Sequence, residues 1–171
     1  MSLALVGLAL SLSAHAQEPQ VSVLADKETV RATVEIEVDA ATTAALIRDH
    51  RNKAIASGQT DMTIEDVRQD GACEVKKWTV PHPVKTVSYT ARSCQTDAGT
   101  IVKLVESDDF DAFTSDWRVE PAGEGRSRLV VLLRSIPSFP IPGAIARAQT
   151  KAALARSLTN IKANLEALPG R

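Results

Sequence analysis

Aromatic residues, cysteines and net charge are all scarce in this sequence, and each shortage excludes something. Aromatics make up 4% of 171 positions, and they are Trp78, Tyr89, Phe110, Phe113, Trp117 and Phe139. A net charge of −1 leaves no basic surface for non-specific nucleic-acid binding, so no nucleic-acid partner is expected. The two cysteines, Cys73 and Cys94, do not form a C-x-x-C redox motif. The histidines, His15, His50 and His82, lack the spacing of a metal site. No G-x-S-x-G elbow, phosphate loop or dinucleotide fingerprint is present, so no catalytic residue, metal or cofactor is assigned.

Long apolar runs are also missing. Residues 3–12 form the longest one near the N-terminus, too short to span a bilayer. Ala14-His15-Ala16 follows it, a small-X-small pattern. Residues 1–16 therefore read as a secretory signal peptide cut after Ala16, and the expected destination is the bacterial periplasm. Residues 17–29 show no clear period and read as a linker or N-terminal arm. Residues 30–169 read as one domain.

With 44% hydrophobic and 24% charged residues, the whole sequence has enough apolar side chains for a core. Val30, Ala32, Val34, Ile36 and Val38 alternate with polar residues, which predicts a strand with one buried face. Asp39 is placed to cap a helical stretch over 40–57, with Leu46, Ile47 and Ile55 facing in and Gly58 ending it. From Met62 onward, strands are expected near 62–68, 72–80, 84–93, 99–106, 113–120 and 127–136, joined by short turns as in an antiparallel meander. The last of them is apolar on both faces between Leu129 and Leu133, which marks a central strand or an outer surface covered by a partner or lipid. Leu154, Leu158, Ile161, Leu165 and Leu168 then recur every three or four residues, which predicts a long helix over 141–168. Pro142 suits its first turn, and Leu168-Pro169-Gly170 stops it. The fold class is α+β: a curved antiparallel β-sheet wrapped around a long C-terminal α-helix.

Ser115-Asp116-Trp117-Arg118-Val119-Glu120-Pro121, then Gly123-Glu124-Gly125 and Ser127-Arg128-Leu129-Val130-Val131, resembles the strand-turn-strand of the START-like, Bet v 1-like (SRPBCC) superfamily. Leu46-Ile47-Arg48-Asp49 and Ile64-Glu65-Asp66-Val67 are similar to the first helices and second strand of its polyketide cyclase/dehydrase and coenzyme-Q-binding branch. The resemblance extends over about residues 30–168. It implies the helix-grip fold and the holding of a hydrophobic small molecule, although the fold alone does not settle a function.

In an oxidising compartment an even pair of cysteines favours a disulfide over two buried thiols, and Cys73 and Cys94 stand at similar distances from a turn near residue 83. His50 and His82 read as solvated, as does the acidic cluster Glu106, Asp108, Asp109 and Asp111. Cavity walls are expected from Trp78, Tyr89, Phe110, Phe113, Trp117, Phe139, Leu154 and Leu158. Arg147 and Lys151 fall on the N-terminal extension of the leucine stripe, where they would meet an anionic or polar ligand head whose tail runs along Leu154 and Leu158. The loop at 136–142, with three prolines and the apolar Ile136, Phe139 and Ile141, is a candidate mouth and a transient membrane-surface contact. The expected function is to carry or sequester a lipid, isoprenoid quinone or sterol-like compound. The alternatives are a cyclase/dehydratase-type enzyme, or an interaction module whose pocket is filled by its own side chains.

Overall fold

The computed structural model describes residues 21–26, 28–82 and 85–167. The expected signal peptide, Pro83 of the turn at His82, and Leu168-Pro169-Gly170 lie outside the described residues. Eight strands form one antiparallel sheet in the order β1-β2-β8-β7-β6-β5-β4-β3. They are β1 (Ser22–Asp26), β2 (Thr29–Ile36), β3 (Thr63–Asp70), β4 (Cys73–Val80), β5 (Val87–Thr96), β6 (Gly99–Glu106), β7 (Phe110–Pro121) and β8 (Ser127–Pro137). Three helices accompany them: α1 (Ala40–Arg48), α2 (His50–Ala56) and α3 (Gly143–Glu166). This curved sheet around a long C-terminal helix is the helix-grip fold that the periodicities predict.

The local causes are readable in the chain. In β2, Val30, Ala32, Val34 and Ile36 are all buried, as the alternation requires. The Asp39 carboxylate accepts the Thr42 amide at 2.9 Å and starts α1. Asp49 does the same for α2, accepting the Arg51 and Asn52 amides at 3.0 Å. Because Asp49 ends α1 and caps α2, it resets the helical phase between them. That reset corrects one expectation: Ile47 is sealed in the core, but Ile55 is 63% exposed. Gly58, at φ 78°, turns the chain out of α2 in a conformation that favours glycine. Pro142 stands immediately before α3, whose first helical residue is Gly143, two residues later than the leucine stripe alone suggests.

β8 lies between β2 and β7, which accounts for its apolar residues on both faces. β1 is the unexpected element. Residues 22–26, read from the sequence as part of a linker or arm, pair in register with β2.

The main core lies between β2, β8 and the second half of α3. It contains Val30, Val34, Ile36, Leu129 and Val131 from the sheet, and Leu154, Leu158, Ile161 and Leu165 from the helix. A second apolar cluster, separate from the first, centres on Trp78, Ala91 and Val102. α3 packs mainly on β2, β1 and α2. It is anchored to α2 through side-chain amides: Asn160 donates to the Ser57 carbonyl and Asn164 to the Ala56 carbonyl, each at 3.0 Å. No residue of α3 before Leu154 is buried. The helix is therefore docked over one side of the sheet by its C-terminal half, and its first three turns stand free of the core.

Candidate functional site

The inner face of the sheet on its β4–β5 side carries most of the scarce aromatics. Trp78 on β4 pairs directly with Tyr89 on β5, and cross-strand neighbours on one face are close enough for their rings to meet. The two rings stack, with centroids 5.6 Å apart and planes 8° from parallel. Tyr89 also meets Phe113 at 4.7 Å and Phe110 at 5.5 Å. Phe110 and Phe113 would ordinarily point to opposite faces of β7. A bulge between Phe110 and Ala112 inserts one extra residue, shifts the alternation and brings both rings against Tyr89. The result is a continuous aromatic floor, bordered by Met62, Ile64 and Val80. Trp78 is buried, whereas Tyr89, Phe110 and Phe113 keep part of their surface open.

α2 closes one side of this floor. His50, Lys53, Ala54 and Ser57 share the helix face that turns toward the sheet. His50 is buried, contrary to its reading as solvated. Its Nε2 lies 2.6 Å from the Ser93 hydroxyl, and its ring stands edge-on to Trp78 with centroids 5.8 Å apart. Burial, aided by the charges of Lys53 and Lys76, pulls its pKa down to about 3, so the imidazole is neutral at ordinary pH. One turn on, the Lys53 Nζ sits 4.6 Å from the centre of the Trp117 ring. Lys53 is part-buried, and desolvation lowers its pKa to about 8. Among the described residues it has no carboxylate within ion-pair distance and no hydrogen bond. The Tyr89 phenol likewise makes no hydrogen bond to another described residue, and burial pushes its pKa above the ordinary value. The buried amide oxygen of Gln149, in the free half of α3, has no partner either.

The remaining expected site residues are placed elsewhere. Trp117 borders the main core beneath Lys53, apart from the ring cluster. Leu154 and Leu158 are core residues packed with β2 and β8. Phe139 lies in the connection before α3, 5.9 Å from the His82 ring and 5.3 Å from the Lys85 ammonium. His82 is thus held edge-on to an aromatic ring instead of standing free in water. Arg147 and Lys151 are both exposed on α3. Within the acidic cluster Asp109 departs from the solvated reading: it is buried, accepts the Ser88 amide at 2.6 Å and pairs with Lys85. The Lys85 hydrogen bond holds the Asp109 carboxyl below its usual range.

A separate polar pocket of about 340 Å³ lies at the α1–α2 junction, between Arg48, His50, Glu74, Lys76 and Gln95. Its charged groups are already engaged. Lys76 pairs with Asp66 at 2.5 Å and Glu74 at 2.9 Å, and Arg48 donates to the Thr96 and Asp97 carbonyls. Among the described residues no group of three or more His, Cys, Asp or Glu side chains is placed to hold a metal ion.

Sequence reasoning did not single out Lys53 or Gln149. The available signal for Lys53 was its position three residues after His50, on the same helix face as Ala54 and Ser57.

The sequence matches the family described as polyketide cyclase / dehydrase and lipid transport over residues 27–166. The chain belongs to this family. None of the curated proteins compared with it matches. Among solved structures, the START superfamily protein from Mycobacterium smegmatis is similar at 20% identity and a TM-score of 0.65, over 80% of this chain and 98% of that one. The Zhui aromatase/cyclase from Streptomyces sp. R1128 is similar at 17% identity and a TM-score of 0.64, over 80% and 90%. The human StarD13 lipid transfer and protein localization domain is similar at 14% identity and a TM-score of 0.66, over 88% and 91%. At these identities the likeness establishes the shared fold.

Proposed function

We propose that this protein binds a hydrophobic small molecule, a lipid, isoprenoid quinone or sterol-like compound, and carries or sequesters it. The observation that carries this reading is the unsealed aromatic floor. Tyr89, Phe110 and Phe113 keep open surface on the inner face, while no residue of α3 before Leu154 is fully buried. An apolar surface left open inside a fold is where an apolar ligand gains most. Each methylene that leaves water contributes about 0.8 kcal/mol, so roughly ten suffice for micromolar affinity before ordering costs. The family's link to lipid transport, and the lipid transfer role in the name of the similar human domain, support the same reading.

Carriage fits an exported protein. The expected signal peptide and the Cys73–Cys94 disulfide both support an oxidising compartment, and among the described residues no helix is long and apolar enough to cross a membrane. The connection at 138–142, which follows the end of β8 and leaves Ile136 in the strand, and the exposed Ile145 beside it would form the mouth, in contact with a membrane surface during loading.

Native mass spectrometry on protein purified from its own compartment, followed by organic extraction, tests this. The expected result is a discrete added mass that extracts as a lipid-like compound. A protein that stays free of ligand and takes up neither lipids nor an apolar dye would overturn the reading.

A further inference from the structure

Lys53 has the features of a charge that awaits a counter-ion. A lysine at the rim of a short helix normally extends its stem until the ammonium meets water. Lys53 lies over the Trp117 ring, on the helix face turned to the sheet, with its ammonium in reach of solvent. Asp49, Asp66, Glu74 and Asp116 are all engaged elsewhere. Asp49 caps the helix through the Arg51 and Asn52 amides. Asp66 and Glu74 hold Lys76, and Asp116 holds Arg118. A part-buried ammonium with no anion is costly, and one anion supplied from outside would relieve it.

Other basic groups of this region are already engaged. His50 is neutral and bonded to Ser93, Lys76 is doubly paired, and Arg48 is bound to two carbonyls. The Lys53 ammonium, set on an indole face of the same sheet that carries the aromatic floor, suits an amphiphile with a negatively charged head.

Building on the hydrophobic-ligand reading above, we propose that Lys53 anchors the head of the bound molecule and that the ligand is a long-chain monocarboxylate. Its carboxylate would sit on the Lys53 ammonium and its chain would run over Tyr89, Phe110 and Phe113. The open Tyr89 hydroxyl and the unpartnered Gln149 oxygen are further polar groups of the interior, the second of which would accept from a hydroxyl on the chain.

The test is displacement of the uncharged dye Nile red from the mature protein at pH 7 by three probes of equal length: laurate, 1-dodecanol and dodecyl phosphate. Laurate is expected to bind about tenfold or more tightly than dodecanol, the scale of one charge-assisted hydrogen bond. Lys53→Met should bring the two affinities together, and Lys53→Arg should keep the preference. Equal affinities in the unaltered protein overturn the inference and leave the hydrophobic-pocket reading standing, without recourse to any variant. A preference for laurate that survives in Lys53→Met also overturns it. Tighter binding of dodecyl phosphate than of laurate overturns the carboxylate assignment. If neither Nile red nor any probe binds, both readings fail together.

Discussion

Lys53 sets a conflict between stability and binding within one side chain. Burial holds its ammonium pKa at about 8 in the folded protein, below its ordinary value near 10.5. Below pH 8 the lysine is protonated in both folded and unfolded chains, and the folded state carries the whole desolvation cost. Between about pH 8 and 10.5 the unfolded chain still holds the proton while the folded one has released it, so stability rises with pH and the penalty fades. Lys53→Met is therefore expected to stabilise the ligand-free protein at pH 7 by about 1–3 kcal/mol, with the gain shrinking as pH approaches 10. Urea denaturation of both proteins at pH 7 and pH 10 checks this. A variant less stable than the parent at pH 7 would show that the Trp117 contact outweighs the desolvation. Neither Lys53 nor His50 could be assigned to the interior from sequence. Which face of α2 turns inward depends on the phase break at Asp49, and a lysine among apolar neighbours reads the same whether it is enclosed or extended to solvent. The four floor aromatics were legible for the opposite reason: with so few rings in the chain, each one stood out.

Among the elements, β2, β8 and α3 were legible because each has a one-sided or fully buried pattern. β1 was not, because none of its five residues is buried and an edge strand of that kind carries no periodic signal. The bulge in β7 was equally invisible, although it decides that Phe110 joins the floor. The hairpin between β5 and β6 provides a sharper test. Gly99 has φ 157°, and a β-carbon built there would lie 2.0 Å from the Trp117 carbonyl oxygen on β7. That oxygen belongs to the backbone, which cannot swing aside as a side chain can. Gly99→Ala is expected to cost about 3 kcal/mol or more, in the range of backbone and overpacking defects. The loss should be accompanied by a change in Trp117 fluorescence, since the same strand segment must move. A cost below about 1 kcal/mol in urea denaturation would mean that β7 yields more easily than its pairing on both sides suggests.

At the scale of the molecule, the sheet is shared unequally. One half is sealed by α3 and supplies the stability; the other half carries the open aromatic floor and is held by hairpins and a cross-link. Cys73 and Cys94 face each other across β4 and β5, with Cα atoms 4.3 Å apart, and their bond closes a loop of sequence separation 21. Replacing both by alanine is expected to lower stability by about 3 kcal/mol, the loop-entropy scale for a bond of this span. Denaturation midpoints with and without reductant measure it, and a double variant that matched the oxidised parent would refute the estimate. The bond has another effect. Trp78 and Tyr89 stand five residues along the same two strands, and side chains on a strand alternate, so a slip of one residue between β4 and β5 would turn either ring outward. The two sulfur atoms can meet only when the strands are aligned as found. Oxidation thus works as an index mark: a chain that has closed this bond has already set its stacked rings toward the interior. Closing this bond and fixing the phase of the Trp78–Tyr89 stack would then be a single event.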